Sequence, residues 1–268
     1  MEFKELGSTG VQLPEIGFGT WQYNGGNDPL QKGVALGASL IDTAEIYGTE
    51  GIVGQAIRGR RGHAFIATKV SGHHLGYDDV LRAADGSLRR LGVSQIDLYQ
   101  IHWPDSNVPI QETMRAMEAL VDDGKVRFIG VSNFSVEELR EAEQAMTRHR
   151  IVSNQMEYSL LDRAIEPDLL PYCEAQRITI LAYTPLAKGK LAAQRSVKHR
   201  HAFEVLRRIA QDAGKTTAQV ALNWCTAKAA VIAIPKAGSV EHVVENCGAS
   251  GWRLTHEQLA ELDQAFNR

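Results

Sequence analysis

Three ionisable residues each follow an apolar run of the sequence. Asp42 follows "LI", Lys69 follows "FIAT" and His102 follows "LYQI". A carboxylate at the end of a buried run costs free energy unless a cation meets it. An ammonium group in a partly dry site likewise needs an anionic partner to stay charged. These positions predict an ion pair between Asp42 and Lys69, with His102 beside it.

A tyrosine, Tyr47, lies five positions after Asp42. A phenol with its ordinary pKa of about 10 is protonated at neutral pH and can donate a proton. A nearby ammonium lowers the pKa of a phenol because it favours the phenolate, so we expect Lys69 within hydrogen-bond reach of Tyr47. With His102 orienting the oxygen that receives the proton, the four residues would protonate a developing alkoxide. This chemistry suits carbonyl reduction, and it requires a cofactor because no side chain delivers hydride.

Each of these residues has an ordinary alternative role when it is taken singly. A strand-end aspartate often caps a helix or forms a turn, and a lysine there often extends to water. A lone histidine is often a structural residue. Three such residues on consecutive strands, with Tyr47 in the loop after the first, favour a shared site.

The elements that would position these residues alternate between short β-branched runs and amphipathic stretches. The runs begin near residues 15, 39, 64, 96, 126, 151, 178 and 230. Starts up to 178 are about 25 to 32 residues apart, the length of one βα unit. The longer final interval accommodates a loop, "KGKLAAQRSVKHR", and two helices, "HAFEVLRRIAQDAG" and "TTAQVALNWCTAK". Other stretches with helical periodicity are "DDVLRAADGSLRRLG", "PIQETMRAMEALVDDGK", "SVEELREAEQAM", "EPDLLPYCEAQR" and "THEQLAELDQAF".

This alternation predicts an α/β fold, a (β/α)8 TIM barrel that forms a single domain over residues 1–268. The opening "FKELGSTGVQLPEIG" predicts an N-terminal β-hairpin, and the extra helices come late in the chain. A doubly wound sheet is the rival, but "GFGTWQ" lacks the third glycine of its usual dinucleotide-binding motif. The chemistry of a barrel lies at the carboxyl ends of its strands. Those ends carry Thr20, Trp21, Asp42, Lys69, His102, Ser132, Asn133, Gln155, Tyr183 and Lys236.

Composition excludes several classes of function. A formal net charge of -3 without a basic cluster argues against nucleic-acid binding. There is no apolar run of membrane-spanning length and no signal-peptide pattern at the N-terminus, so we expect a cytoplasmic protein without membrane association. The cysteines Cys173, Cys225 and Cys247 are widely spaced, which predicts reduced thiols and no metal site.

The motifs together resemble the aldo-keto reductase family, in its short, prokaryotic-type form, over nearly the whole chain. They are "GFGTW", "LIDTAEIYG", "ATKV", "DLYQIHWP", "IGVSNF", "NQMEYS", "AYTPLAKGKL", "IPKA" and "ENCG", in order. The resemblance implies a catalytic tetrad of Asp42, Tyr47, Lys69 and His102. Tyr47 would be the general acid in reduction and the base in alcohol oxidation. The implied reaction is reversible reduction of aldehydes and ketones with a nicotinamide cofactor.

The resemblance also implies a cofactor site across the barrel mouth. Ser132, Asn133 and Gln155 match the residues that hold the nicotinamide carboxamide, and Tyr183 matches the residue that stacks on its ring. The remaining cofactor residues would be Thr20, Trp21, Thr184, Pro185, Leu186, Lys236, Ala237, His242, Glu245 and Asn246. From the residues alone, Asn133 could instead cap the helix starting "SVEEL". Gln155 could equally bond within the barrel, and Tyr183 could belong to the core.

Departures from the family pattern bear on cofactor and substrate. Many members have an arginine where this chain has His242, a weaker and pH-dependent cation. Lys236 favours NADPH, with NADH as the alternative. The chain ends at Arg268, without the C-terminal loop of longer relatives, which predicts an open pocket. Its walls would come from Trp21, Tyr47, His102 and Trp103. His102 stands where relatives that reduce steroid C=C bonds have glutamate, which indicates C=O chemistry.

Two other functions remain open from the sequence. Some family relatives are cofactor-binding regulatory subunits of ion channels, although this chain shows no added segment for that role. A Schiff-base aldolase with Lys69 as nucleophile is the third interpretation, but the cofactor residues have no purpose in it. The expected partner is a small carbonyl compound, and the family commonly acts as a monomer.

Overall fold

In the computed structural model, which describes residues 1–193 and 199–267, eight parallel strands form one sheet. Their order in the sheet follows their order in the chain, so each strand pairs with the next one in the chain. A helical crossover connects the two strands of each pair. The strands are β3 (Phe18–Gly19), β4 (Leu40–Asp42), β5 (Phe65–Val70), β6 (Ile96–Ile101), β7 (Val126–Ser132), β8 (Ile151–Glu157), β9 (Thr179–Tyr183) and β10 (Val231–Ala233). All eight predicted strands are confirmed.

The sheet closes on itself between its first and last strands. Ile16 forms a parallel bridge with Ala233, whose carbonyl accepts from the N–H of Gly17 at 2.8 Å. The N–H of Gly19 donates to the Pro235 carbonyl at 3.2 Å. A side chain at Gly19 would lie 2.9 Å from the backbone oxygen of Ile234, so the seam requires glycine there. The chain therefore folds as the predicted (β/α)8 barrel.

The predicted N-terminal hairpin is confirmed, and it covers the bottom of the barrel. Strands β1 (Phe3–Glu5) and β2 (Gln12–Pro14) pair antiparallel around the turn "GSTG". Leu6 and Leu13 are buried against the lower interior of the barrel, in one cluster with inward side chains of the strands. Lys4 fastens the hairpin from outside, because its ammonium donates to the carbonyls of Thr226, Lys228 and Val231 at 2.5, 2.6 and 2.7 Å.

Helices cover the outside of the sheet. They are α1 (Asn27–Ala35), α2 (Glu50–Ala56), α3 (Tyr77–Leu91), α4 (Ile110–Asp122), α5 (Val136–Ala145), α6 (Leu169–Gln176), α7 (Lys190–Ala193), α8 (Arg200–Asp212), α9 (Thr217–Thr226), α10 (Val240–Cys247) and α11 (His256–Phe266). Helices α1, α2 and α10 lie outside the predicted set. Glycines within α1 and α2 weaken their helical signal, and all three are short. In the predicted loop "KGKLAAQRSVKHR", Lys190–Ala193 is helical and residues 194–198 lie outside the described residues.

Strand alternation separates two cores. One set of side chains packs between the sheet and the helices, and includes Ile41, Ile66 and Ile101. The other set points into the barrel. Because successive strand residues face opposite sides, the residues two apart along a strand continue the inward set towards the upper mouth. In the part of the chain that the structure describes, no helix is long and apolar enough to cross a membrane.

Candidate active site

The Asp42 carboxylate lies at the centre of a buried network at the upper end of the barrel. Its Oδ1 accepts from Lys69 Nζ at 2.6 Å. Its Oδ2 accepts from the side-chain amides of Gln155 at 2.8 Å and Gln100 at 3.3 Å. Both partners of the ion pair are buried, with exposed side-chain fractions of 0% for Lys69 and 3% for Asp42. The predicted ion pair between neighbouring strands is present.

Lys69 is held by a second acceptor as well as by Asp42. Its ammonium donates to the backbone carbonyl of Thr43 at 2.8 Å. Burial lowers the pKa of Lys69, and the Asp42 carboxylate opposes that shift. These two acceptors hold the fully buried ammonium in one position, so it acts as a fixed positive charge.

Tyr47 reaches the same site from a short 3₁₀ helix, Glu45–Tyr47, that follows β4. Its hydroxyl lies 3.2 Å from Nε2 of His102, and the two rings meet edge to face with centroids 5.3 Å apart. Lys69 Nζ is 4.9 Å from the centre of the Tyr47 ring. The hydrogen bond of the phenol therefore goes to His102. The sequence had instead predicted Lys69 within hydrogen-bond reach of Tyr47.

A carboxylate in the same 3₁₀ helix holds this loop in place. Oε2 of Glu45 accepts from the Ser71 backbone N–H at 2.9 Å, and Oε1 lies 2.8 Å from Nδ1 of His74. Ser71 directly follows β5, the strand that carries Lys69. The loop bearing Tyr47 is thus tied to the strand bearing its cation.

The pKa of Tyr47 is shifted in the direction opposite to the sequence expectation. Burial, the Asp42 carboxylate and Tyr183 raise the pKa of the Tyr47 phenol above its ordinary value. The expectation of a lowered pKa was wrong because burial disfavours the phenolate, and because the Asp42 carboxylate, which pairs with Lys69, also acts on the phenol. Burial and the Lys69 ammonium lower the pKa of His102 to about 3. At neutral pH the site therefore contains a protonated phenol beside a neutral imidazole.

A group of polar side chains adjoins the tetrad at the mouth. Asn133 donates from Nδ2 to the His102 carbonyl and to Ser132 Oγ, both at 3.0 Å. Its Oδ1 accepts from the Tyr183 hydroxyl at 3.0 Å. Ser132 Oγ in turn donates to the Gln155 carbonyl at 2.9 Å. The residues assigned to the nicotinamide are thus neighbours, next to the half-buried ring of Tyr183.

The ordinary alternative for Asn133 is wrong, because the helix α5 is capped by Ser135 in a reciprocal bond with Glu138. Asn133 instead adopts a left-handed conformation with φ of 64°, which asparagine tolerates better than most residues. That conformation lets its side-chain amide serve His102 and Tyr183 at once. The alternative for Gln155, a bond within the barrel, is observed through Asp42.

The other predicted site residues differ in exposure. Trp21 and Trp103 are exposed by 50% and 52%, beside the mouth, and Lys236 and His242 are exposed on the side of β10 and α10. Thr20 is fully buried, and its hydroxyl bonds to the Asp42 carbonyl and Thr49. Buried or half-buried positions are taken by Thr184, Pro185, Leu186, Ala237, Glu245 and Asn246. Their predicted contacts with a cofactor stay predictions.

Sequence reasoning missed Gln100 and Ile46. Gln100 is completely buried and bonds to Asp42. Its signal was a polar residue within the apolar run "LYQI", two positions before His102 and thus on the same face of β6. Ile46 is exposed by 61% and lies immediately before Tyr47 in the 3₁₀ helix.

The donor set at the mouth fits a nicotinamide cofactor. Asn133 and Ser132 offer amide and hydroxyl groups beside the half-buried Tyr183 ring, and Nδ1 of His102 is a buried polar atom with no partner among the described residues. Lys236 is exposed and free to meet an anionic group. Within the described residues, no cluster of three or more acidic, histidine or cysteine side chains could hold a metal ion.

Comparisons with known proteins agree with this geometry. The model of the aldo/keto reductase family matches residues 15–267. The chain is 37% identical over 268 residues to methylglyoxal reductase YeaE of Escherichia coli (strain K12), covering 96% of this chain and 92% of the relative. It is 35% identical to glyoxal reductase of Bacillus subtilis (strain 168), covering 97% of this chain and 91% of the relative. The crystal structure of an aldo/keto reductase from Klebsiella pneumoniae in complex with NADP and acetate superposes with a TM-score of 0.87 at 38% identity, covering 98% of this chain and 95% of that chain. These matches along nearly the whole chain show that it belongs to the aldo/keto reductase family.

Proposed function

We propose that this protein reduces small aldehydes and ketones to alcohols, with NADPH as its preferred cofactor and Tyr47 as the general acid. The observation that carries the proposal is the contact between the Tyr47 hydroxyl and His102 Nε2, at 3.2 Å, beside the buried pair of Lys69 and Asp42. A proton donor, a neutral hydrogen-bonding group and a fixed cation thus converge at one point of the barrel mouth. That combination stabilises oxygen anions as they form.

In this mechanism the substrate oxygen accepts from Tyr47 and lies against Nε2 of His102. As the carbonyl carbon is reduced, negative charge develops on its oxygen, and Tyr47 donates its proton there. Lys69, 4.9 Å from the ring centre, stabilises the phenolate that remains. Asp42 keeps Lys69 charged and fixed in position. The raised pKa of Tyr47 keeps the phenol protonated at neutral pH, as a proton donor must be before the reaction.

The cofactor, when bound, supplies the hydride that the protein itself lacks. Ser132 and Asn133 would hold its carboxamide, and Tyr183 would pack against its ring. Gln155 would act on the carboxamide only indirectly. Its side-chain amide donates to Asp42, whereas its backbone carbonyl accepts from Ser132 Oγ. Lys236 and His242 would meet a 2′-phosphate. The structure in complex with NADP supports this assignment by similarity.

Substitution of Tyr47 by Phe tests the role of the proton donor. We expect kcat for aldehyde reduction to fall by about 10²- to 10⁴-fold, the usual contribution of a positioned general acid. The measurement is aldehyde-dependent loss of NADPH absorbance. Cofactor affinity, followed by quenching of protein fluorescence, serves as the control and should remain within about threefold, because the phenol is not a carboxamide ligand. A variant with nearly unchanged kcat would refute the proposed acid.

Substitution of His242 by Arg tests the cofactor preference. Arginine binds phosphate through two parallel hydrogen bonds and stays charged at every working pH. We expect the ratio of kcat/KM for NADPH to that for NADH to rise by about tenfold. An unchanged ratio would show that position 242 does not meet the 2′-phosphate. In that case Lys236→Ala is the second test, because a loss of selectivity for NADPH in that variant would still locate the phosphate beside β10.

The substrate class follows from the relatives and the mouth. Two relatives are named for the reduction of methylglyoxal and glyoxal, both small 2-oxoaldehydes. Trp21, Ile46 and Trp103 are exposed apolar side chains that directly adjoin Thr20, Tyr47 and His102 in the chain. We therefore propose small aldehydes, including 2-oxoaldehydes, as substrates. Initial rates over a panel of aldehydes, keto-sugars and quinones, each with NADPH and NADH, would test this assignment.

The two other interpretations have less support. An aldolase needs a lysine with a free electron pair, whereas Lys69 is completely buried with its ammonium bonded to Asp42 and Thr43. Borohydride trapping with a carbonyl substrate should leave Lys69 unlabelled. A regulatory subunit would not turn over aldehydes.

We propose a cytoplasmic monomer, and gel filtration should give the mass of a single chain, 29.5 kDa.

A further inference from the structure

A second cleft lies at the end of the barrel opposite the tetrad. It is bounded by α2 and the loop that leads from it to β5, and by the end of α3 and the loop that leads to β6. Both loops enter their strands from the amino end, whereas the tetrad is at the carboxyl end. The cleft is open to solvent on one side and has a volume of about 700 Å³.

The cleft has more positive than negative charge. Arg58, Arg61, Arg89 and Arg90 line it, and Asp97 is the acidic residue in its wall. Arg61 forms an ion pair with Asp97 at 2.7 Å and donates to two backbone carbonyls. Arg90 forms an ion pair with the buried Glu50 at 2.6 Å. Over residues 1–193 and 199–267, Arg58 and Arg89 form no ion pair.

Helix ends do not neutralise these two arginines. Both α2 and α3 terminate beside the cleft, and a helix C-terminus carries roughly half a negative charge. Two such ends offset about one positive charge. Arg58 and Arg89 provide two, so an excess remains. Both residues are exposed, which leaves their guanidinium groups available to a ligand.

Glycines keep the floor of the cleft open. At Gly51 and Gly62 an added Cβ would meet nothing within 4 Å, and neither residue has the positive φ that requires glycine. At Gly54 an added Cβ would lie 2.2 Å from the Leu91 carbonyl oxygen, so the close approach of α2 to the end of α3 depends on it. The backbone N–H groups of Gly59 and Ser94 also donate to no acceptor among the described residues.

We propose that this cleft binds a phosphorylated small molecule at a site separate from the barrel mouth. Guanidinium groups bind phosphate through paired, charge-assisted hydrogen bonds. Arg58 and Arg89 would bind the phosphate groups, and Gly51 and Gly62 leave the space that the ligand occupies.

Isothermal titration calorimetry with inorganic pyrophosphate tests this site on the intact protein. We expect the double variant Arg58→Gln/Arg89→Gln to bind pyrophosphate at least about tenfold more weakly than the wild type, because two charged hydrogen-bonding groups are lost. Arg82→Gln is the matched control, since Arg82 pairs with Asp79 on α3 outside the cleft. Lys236→Ala is the second control, since it removes the cation at the barrel mouth. Both controls should bind as the wild type does.

A charge added to the cleft provides an independent measurement. Gly62→Glu should weaken pyrophosphate binding, whereas Gly62→Gln, of the same size, should retain it within about threefold. The aldehyde reductase activity of the Arg58→Gln/Arg89→Gln variant should be unchanged, so a failure here is distinguishable from a failure of the catalytic proposal. The site is refuted if the wild type does not bind pyrophosphate. Full binding by the double variant, loss of binding in Lys236→Ala, or equal weakening in Arg82→Gln would refute it as well.

Discussion

Asp42 uses both of its carboxylate oxygens, one for Lys69 and the other for Gln100 and Gln155. A buried carboxylate is tolerated only when its charge and its lone pairs are satisfied. The two glutamines satisfy the oxygen that Lys69 does not reach. Asp42 therefore fixes the cation, while the hydrogen bond of Tyr47 goes to His102. The tetrad consists of two pairs that face each other, rather than a chain of four hydrogen bonds.

The pKa of His102 predicts a flat pH dependence. His102 is a base whose pKa is lowered to about 3, so it is neutral above that pH and gains charge only below it. The phenol of Tyr47 has a raised pKa and stays protonated at alkaline pH. We expect kcat for aldehyde reduction to vary by less than about twofold between pH 5 and 8, where an unperturbed histidine would titrate.

The measurement is the pH–rate profile at saturating cofactor and substrate. His74→Gln is the control, because His74 is an exposed histidine that contacts the loop of Tyr47 through Glu45. An ionisation near pH 6.5 that persists in His74→Gln would contradict a neutral His102.

At the scale of elements, α4 anchors the segment that leads into β8. The Glu118 carboxylate is 2% exposed and accepts from the backbone N–H groups of Thr147, Arg148 and His149 at 2.9, 2.6 and 3.0 Å. The Thr147 hydroxyl adds a fourth bond at 2.9 Å. One side chain thereby satisfies three backbone donors that no strand or helix serves. Because β8 carries Gln155, this anchor also supports the active site.

Substitution of Glu118 by Gln should destabilise the fold by about 2 kcal/mol, since hydrogen bonds to a charged acceptor are replaced by weaker or unmade ones. Burial raises the pKa of Glu118, but the hydrogen bonds to Arg148, His149 and Thr147 outweigh burial and lower it from 4.5 to about 2. The stabilisation by the carboxylate is thus complete above about pH 4.5 and is lost as the pH falls through about 2. Urea denaturation should show the difference between wild type and variant shrinking over that window. Glu141→Gln, at an exposed position of α5, should change stability by less than about 0.5 kcal/mol.

At the scale of the whole molecule, an ion pair joins the start of the barrel to the end of the chain. Arg253, between α10 and α11, contacts the fully buried Glu15 through two bonds, Nη1–Oε1 at 3.1 Å and Nη2–Oε2 at 2.8 Å. The backbone carbonyl of Glu15 also accepts from Ala233 at the closing seam. Glu15 therefore takes part both in closing the sheet and in attaching the segment that leads to the last helix.

Removing only the arginine should be costly. Arg253→Gln leaves the Glu15 carboxylate buried without its ion partner, which we expect to lower the free energy of unfolding by about 3 kcal/mol. The double variant Glu15→Gln/Arg253→Gln removes the unpaired charge and should recover part of that loss. Thermal and urea denaturation of the wild type, the two single variants Arg253→Gln and Glu15→Gln, and the double variant would measure both effects. A double variant that loses the full sum of the two single effects would contradict the coupling.

The local sequence was sufficient for the barrel and for the placement of Asp42, Lys69 and His102 at its upper end. Strand parity places Asp42, Lys69 and His102 on the inner face at the ends of three neighbouring strands, and this follows from a period of two residues. Apolar runs at regular intervals likewise predict the eight strands. Helices α1 and α2 could not be predicted in the same way, because their glycines weaken the local signal and packing against neighbours stabilises them.

The tertiary structure decided which partners each polar group has. Asp42 and Gln155 are 113 positions apart in the chain, and no local pattern records their hydrogen bond. The raised pKa of Tyr47 has the same origin, since it depends on burial and on the distance to charges held by other strands. The arginine-lined cleft arises where α2 meets the end of α3. A sequence thus determines which residues face inward through local periodicity, whereas charge and hydrogen bonding depend on distances that only the folded chain defines.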